Sequence, residues 1–183
     1  MLSILMKRQA QLKPKQVNAK VQQLEVSVSA RPAFHDKPWE ETQAALKQDL
    51  SYLKTLSGSK EKDPFKETLI NKYRPLIERL LDTHKGNYGN LDVMWWFYLW
   101  HIDLGQLDVV HDDFRKAIGA GLETPTSWKM NGQTAFLGYV FKYSNEAYKA
   151  KRAFKHEYLI NAVKDVLSGE LATNAPLKVK MFR

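Results

Sequence analysis

Histidine and aspartate side chains are the first candidates for chemistry in this sequence. His111, Asp112 and Asp113 are adjacent, and with His84 and Asp165 they imitate the order H…HD…D of metal-dependent phosphohydrolases with helical folds. Imidazole and carboxylate groups suit divalent metals. Neighbouring residues on one helix point in different directions, however, so at most part of the set could converge. We therefore interpret the run as an exposed polar face and predict no metal site, with the phosphohydrolase as an alternative.

Two segments carry basic residues that suit contact with nucleic-acid phosphates. The first 24 residues contain no acid, and a second basic group follows Tyr148. Lysine and arginine side chains neutralise backbone phosphates, and basic arms often serve this purpose. A solvated surface without a partner is the alternative for both segments. The candidate DNA-binding residues are Lys7, Arg8, Lys13, Lys15, Lys20, Lys151, Arg152 and Lys155.

Several kinds of site are excluded by what the sequence lacks. The chain has no cysteine, which excludes disulfides, thiolate zinc sites and cysteine nucleophiles. It contains no GxxxxGKS, GxxxxGKT, GxSxG or GxGxxG motif, so nothing indicates ATP hydrolysis or dinucleotide binding. The longest apolar run is 93–100, whereas a membrane-spanning helix needs about 20 residues. We expect no cofactor and no membrane partner.

Charge divides the chain into regions. The chain has 183 residues and a net charge of +8, which suits an acidic partner such as nucleic acid. Residues 1–37 carry seven Lys or Arg and two acids, whereas residues 38–128 carry eleven and fourteen. We predict a basic DNA-binding arm and linker at 1–37, a helical core and oligomerisation domain at 38–168, and a basic tail at 169–183.

Apolar residues at helical spacing predict an all-α fold. They recur every three or four residues after position 38, and no segment there alternates as a strand does. We predict a compact core of five to seven helices with basic, flexible termini. Gly105, Gly121 and Gly169 follow apolar runs and predict helix ends. The helices are expected at about 38–57, 64–81 after Asp63 with a kink or break at Pro75, 91–104, 106–120, 132–148 and 150–168.

An aromatic cluster lies in the most apolar of these helices. It comprises Trp95, Trp96, Phe97, Tyr98 and Trp100, whose rings would point all around a helix. Such a helix is usually buried between others or shared with another subunit. Stacking on nucleic-acid bases is the alternative. We favour packing, because a stacking platform normally has basic residues interleaved and this run is nearly uncharged.

A specific family resemblance rests on residues 91–125. The segment LDVMWWFYLWHIDLGQLDVVHDDFRKAIGAGLETP resembles the core signature of the small terminase subunit of cohesive-end temperate tailed phages, the gpM-type family. That signature is an apolar helix ending in Leu-Trp, an Asp-x-Gly turn, and an Ala-rich helix closing in Gly-Leu and Pro. Gln106 departs from it, since the family usually has Asp there. The matching residues are Leu99, Trp100, Asp103, Gly105, Ala117, Gly121, Leu122 and Pro125.

The resemblance implies a role in viral genome packaging in the cytoplasm of the bacterial host. It implies recognition of double-stranded viral DNA at the cos region and delivery of that DNA to the large terminase subunit, which has the ATPase. Members are often called the endonuclease subunit, and we interpret that name as directing cleavage rather than performing it. The resemblance also implies a homo-oligomeric ring. The alternatives are a helical protein–protein adaptor without DNA binding and a metal-dependent phosphohydrolase or nuclease.

Overall fold

A computed structural model describes residues 38–84, 88–89 and 91–183 of the protein. Within these residues the chain forms seven α-helices and no β-strand, which confirms the all-α prediction. Asn90, the expected cap of the aromatic helix, lies outside the described residues. The helices are α1 Trp39–Thr55, α2 Gly58–Thr83, α3 Asp92–Asp103, α4 Leu107–Gly119, α5 Gly132–Lys149, α6 His156–Ser168 and α7 Ala175–Met181.

Helix α3 lies at the centre of the core and is buried on every side. Eight of its 12 residues are buried, because the helix has no polar stripe that could face water. Helix α2 packs along it, and α4 covers it from the other direction. The ring of Phe114 in α4 lies 4.7 Å from that of Tyr98 and 5.4 Å from that of Trp95, measured between centroids. The aromatic cluster is therefore core packing within one chain.

Glycine ends both α3 and α4, as the sequence predicts. Gly105 and Gly121 adopt left-handed backbone conformations with φ of 74° and 88°. After α3, the Gly105 N–H donates to the carbonyl of Ile102, and the Gln106 N–H donates to that of His101. The Gln106 side chain then accepts a 2.8 Å hydrogen bond from Nδ1 of buried His101. Burial lowers the pKa of His101, so a neutral partner at position 106 suits a neutral imidazole.

Helix α2 differs from its prediction at both prolines. It begins at Gly58, five residues before Asp63, and it runs through Pro64 and Pro75 without a break. The carboxylate of Glu61 accepts a 2.7 Å hydrogen bond from the Ser57 N–H, which satisfies a backbone donor at the earlier start. Both prolines face solvent, so carbonyls that lose a helical partner can bind water.

Helices α5, α6 and α7 form the second part of the fold. Helix α5 packs against α4 and α6, and α7 packs against both α5 and α6. Residues 169–183, which we expected to form a flexible tail, contain α7 and the buried side chain of Met181. The Asn174 side chain caps this helix by accepting a 3.0 Å hydrogen bond from the Leu177 N–H. Order therefore extends beyond the predicted core.

Two glycines of α5 give opposite predictions for the same substitution. A Cβ atom at Gly132 would overlap the carbonyl oxygen of Leu122, whereas one at Gly138 would lie 3.9 Å from the Leu177 side chain. We expect Gly132→Ala to lower the free energy of unfolding by about 2 kcal/mol through overpacking. Gly138→Ala should raise it by about 0.5–1 kcal/mol, since alanine is the better helix former. Urea unfolding of both variants measures the difference, and equal midpoints would contradict it.

Candidate nucleic-acid interface

Helix α5 ends in a turn built on an unusual backbone conformation. Lys151 has φ of 52°, and it is the one non-glycine residue with positive φ in the described part of the chain. Its N–H donates to the carbonyl of Tyr148 at 3.1 Å, and the Arg152 N–H donates to that of Ala147 at 2.9 Å. The turns at Gly105 and Gly121 have the same hydrogen-bond pattern. Lysine therefore occupies a position where the same fold twice uses glycine.

This turn gathers exposed cations, and we call Lys149, Lys151, Arg152 and Lys155 the basic turn. Among the described residues, no acid forms an ion pair with any of the four. Lys155 is held in place, since its Nζ donates a 3.0 Å hydrogen bond to the Tyr158 hydroxyl. That hydrogen bond raises the pKa of Lys155. The basic turn therefore presents four exposed cations at the end of α5, and Asp108 and Asp112 act electrostatically on one of them, Lys155.

Three of the candidate DNA-binding residues belong to the basic turn, but they do not share a helix. We expected one helix over 150–168 with Lys151 and Lys155 one turn apart, and this is wrong because α6 begins at His156. Lysine seldom adopts a left-handed conformation, so the periodic pattern gives no sign of the interruption. The other candidates, Lys7, Arg8, Lys13, Lys15 and Lys20, lie outside the described residues.

The basic turn also lies on a mixed-charge cleft. Arg152 lines a cavity of about 460 Å³ together with Asp108 and Lys142. Lys142 pairs with Glu146 at 3.8 Å on the exposed face of α5, so its charge is compensated. Exposed pairs of this kind contribute little to stability. In this region, the exposed cations without a close ion pair among the described residues lie in the basic turn rather than along α5.

The guanidinium group of Arg115 binds Asp165, one of the carboxylates in the H…HD…D order. Arg115 Nε donates to Asp165 at 2.6 Å, and its Nη2 donates to Glu170, also at 2.6 Å. The bond to Asp165 is the main reason why the pKa of Arg115 is raised. His111, Arg115 and Asp165 line one cleft, and the His111 ring stacks on Tyr158 with 3.7 Å between ring centroids. An arginine therefore supplies the positive charge for Asp165, which belongs to that set, and for Glu170, which does not.

The remaining members of the H…HD…D set do not converge. The His111 Nδ1 bonds to Asp112 at 2.8 Å, and this bond lowers the pKa of that exposed carboxyl group. Asp113 is exposed and lies 3.7 Å from Lys116, while His84 is exposed at the end of α2. Over the residues that the structure describes, no group of three His, Asp or Glu side chains could hold a metal ion.

The comparison with known families covers most of this architecture. A family model described as phage small terminase subunit matches residues 43–174, from α1 to the residue before α7. The chain belongs to the phage small terminase subunit family. The resemblance to small terminases at residues 91–125 is thereby confirmed. No curated protein and no solved structure matches the chain significantly.

Membership of the small terminase family supports a role in packaging phage DNA. The matched region contains the whole basic turn, whereas Lys7, Arg8, Lys13, Lys15 and Lys20 precede it. Within the described part of this small terminase subunit, no helix combines the length and the hydrophobicity needed to cross a membrane. The basic turn is thus the candidate interface that lies within the region matched by the family model.

The backbone of Lys151 predicts a stability gain on removal of its side chain. A left-handed conformation costs a non-glycine residue about 1 kcal/mol or more, and glycine avoids this cost. Glycine also loses more entropy on folding, which offsets part of the gain. We expect Lys151→Gly to raise the free energy of unfolding by about 0.5 kcal/mol. Thermal unfolding compares it with Lys149→Gly, which lies inside α5 and should be destabilised instead, and a lower melting temperature for Lys151→Gly would refute the argument.

Proposed function

We propose that this small terminase subunit binds double-stranded viral DNA at the cos region and directs its cleavage and packaging by the large ATPase subunit. The gpM-type signature at residues 91–125 supports this finer assignment among small terminases. In the proposed division, residues 1–37 form a DNA-binding arm, 38–168 the core and oligomerisation domain, and 169–183 a basic tail. The site of action is the cytoplasm of the bacterial host.

The observation that carries the proposal is the cluster of exposed cations without close ion pairs in the basic turn. Four exposed cations lie at one end of α5, and a strained lysine is retained among them. Strain that persists at a position where glycine would fit is a reason to infer function for the side chain. Each phosphate that a lysine or arginine neutralises releases counterions, which makes binding favourable and salt-dependent. A DNA backbone suits this arrangement better than a neutral partner.

We infer that the subunit recognises DNA and leaves the cut to its large partner. Metal-dependent cleavage needs several converging carboxylates. In the described residues, Arg115 already pairs with Asp165 and Glu170, and Asp112 is bonded to His111. The acid positions therefore favour a structural role for this cluster over the phosphohydrolase alternative.

The salt dependence of DNA binding tests the proposal. Deleting residues 1–24 should weaken binding, and the log–log salt slope should fall by about 0.9 for every phosphate that the shortened chain no longer neutralises. Lys151→Gly should reduce the slope by about 0.9, because it removes one phosphate-binding cation without destabilising the fold. Lys60→Ala removes an exposed cation from α2 and serves as the charge-matched control. Fluorescence anisotropy with cos-containing duplex DNA at several salt concentrations measures the slopes.

The outcomes of that titration separate the two function classes. An unchanged slope for Lys151→Gly would remove the basic turn from the interface. Equal slopes for Lys151→Gly and Lys60→Ala would indicate general charge attraction rather than a defined phosphate site. No salt-dependent binding by the full chain would favour the protein–protein adaptor.

We also propose that the subunit forms a homo-oligomeric ring. Four rings of the aromatic cluster are buried within one chain and Trp96 is half-buried, so the cluster offers little contact surface. Three exposed apolar side chains are better placed for it, namely Leu167 of α6, Val179 of α7 and Phe182 directly after α7. Light scattering should give a mass well above the 21.2 kDa of one chain, and Leu167→Lys should lower it. A 21.2 kDa species alone would contradict the proposal.

A further inference from the structure

A cleft of about 410 Å³ opens between α5, α6 and α7. Its walls are largely apolar and include Phe141 and Tyr148 of α5, Leu159 and Ile160 of α6, and Met181 of α7. Tyr148 is 75% exposed and Ile160 is 50% exposed, so apolar surface remains in contact with water here. A cleft of this size suits one large side chain and its adjoining backbone.

A buried hydroxyl group lacks a partner in this cleft. Ser144 lines the cleft and is 2% exposed, and no described residue forms a hydrogen bond with its Oγ. A helical serine commonly satisfies its hydroxyl by bonding the carbonyl four residues earlier, which does not occur here. Leaving a buried hydroxyl unpaired is costly, and such a group in a native structure requires an explanation. A ligand atom that bonds Ser144 would remove the cost.

The rim of the cleft is cationic. Lys180, Arg183 and His156 line it, and no acidic residue does. The two cations belong to the C-terminal residues that α7 holds against α5 and α6. Carboxylates of a ligand would therefore meet positive charge beside an apolar anchor site, which is electrostatic complementarity of the kind that orients partners.

We propose that this cleft binds an acidic peptide segment of a partner protein, anchored by a tryptophan or tyrosine side chain. The aromatic ring enters between Phe141, Leu159 and Met181, and its N–H or O–H group bonds to Ser144 Oγ. Acidic residues beside the anchor pair with Lys180 and Arg183. Tryptophan and tyrosine are the anchors that most often fill such pockets at protein interfaces. A nucleobase fits less well, because its polar edge has several donors and acceptors, whereas the cleft offers few uncharged polar groups, chiefly the Ser144 hydroxyl and the Asn145 amide.

This inference goes beyond the proposed function, since it holds whether or not the basic turn binds DNA. The two sites also use different residues. The basic turn contributes Lys149, Lys151, Arg152 and Lys155, none of which lines the cleft. A failure of one proposal therefore leaves the other standing.

A double-mutant cycle between cleft and ligand tests the hydrogen bond. The probe is a short synthetic peptide with a central tryptophan flanked by Asp and Glu, titrated into the full-length protein by calorimetry. Replacing its tryptophan by phenylalanine should weaken binding to the wild-type protein about 3- to 10-fold, because the phenyl ring cannot donate a hydrogen bond. The Trp-to-Phe effect should be clearly smaller in Ser144→Ala, where only the difference in buried ring area remains. This variant should melt no lower than wild type, because it removes an unpaired buried hydroxyl.

Substitutions at the mouth test the site itself. Ile160→Glu should weaken binding of the tryptophan peptide more than about 10-fold, since it puts a like charge at the entrance. Val109→Glu is the matched control on α4, because Val109 is 60% exposed and lies outside the cleft. It should leave the affinity unchanged. Lys180→Glu with Arg183→Glu should weaken binding and remove most of its dependence on salt.

Four outcomes would overturn the proposal. They are equal affinity for Ile160→Glu and wild type, equal affinity for a peptide with alanine in place of tryptophan, and a Trp-to-Phe effect of the same size in Ser144→Ala as in wild type. The fourth is a different occupant. Oligothymidylate binding that depends on Ile160 and Ser144 would assign the cleft to nucleic acid, and a loss of particle mass in Ile160→Glu would assign it to a second copy of the chain.

Discussion

The fold depends on enclosing a helix that has no polar face. Helix α3 presents rings in every direction, so any side left in water would expose a large apolar surface. Helices α2 and α4 cover two sides, and Trp128 from the segment after α4 packs edge-on against Trp95 and Trp96. Because these elements bury α3 with their inner faces, their charged residues lie on their outer faces. The basic turn lies at the exposed end of α5, outside this core.

The parts of the fold that follow from local chemistry were predictable from the sequence. Apolar periodicity located α3, α4 and α5 to within a residue or two, and Gly105 and Gly121 marked the ends at which only glycine adopts the conformation freely. The start of α2 was not predictable from Asp63 and Pro64, because the Glu61 carboxylate satisfies the Ser57 N–H farther upstream. The start of α6 at His156 was hidden, since lysine carries no signal for the left-handed turn at Lys151.

The candidate site shows a similar division between local and long-range information. Residue types alone identified Lys151, Arg152 and Lys155, but the turn that brings them together depends on backbone geometry. The residues of the H…HD…D order do not converge, and the reason is different. Arg115 and Asp165 are 50 residues apart and meet only when α4 and α6 are placed side by side. Ser144 had no signal at all, because an unpaired hydroxyl is a property of packing and not of composition.

The enclosure of α3 has an optical consequence. All five tryptophans lie at or before position 128, and each is buried or half-buried around the N-terminal half of the described helices. Helices α5, α6 and α7 contain no tryptophan, although α5 has tyrosine and phenylalanine and α6 has one tyrosine. Indole emission from this protein is thus a reporter of the state of the core around α3. Tyr148, which is 75% exposed beside the basic turn, lies in the part of the described structure that contains no tryptophan.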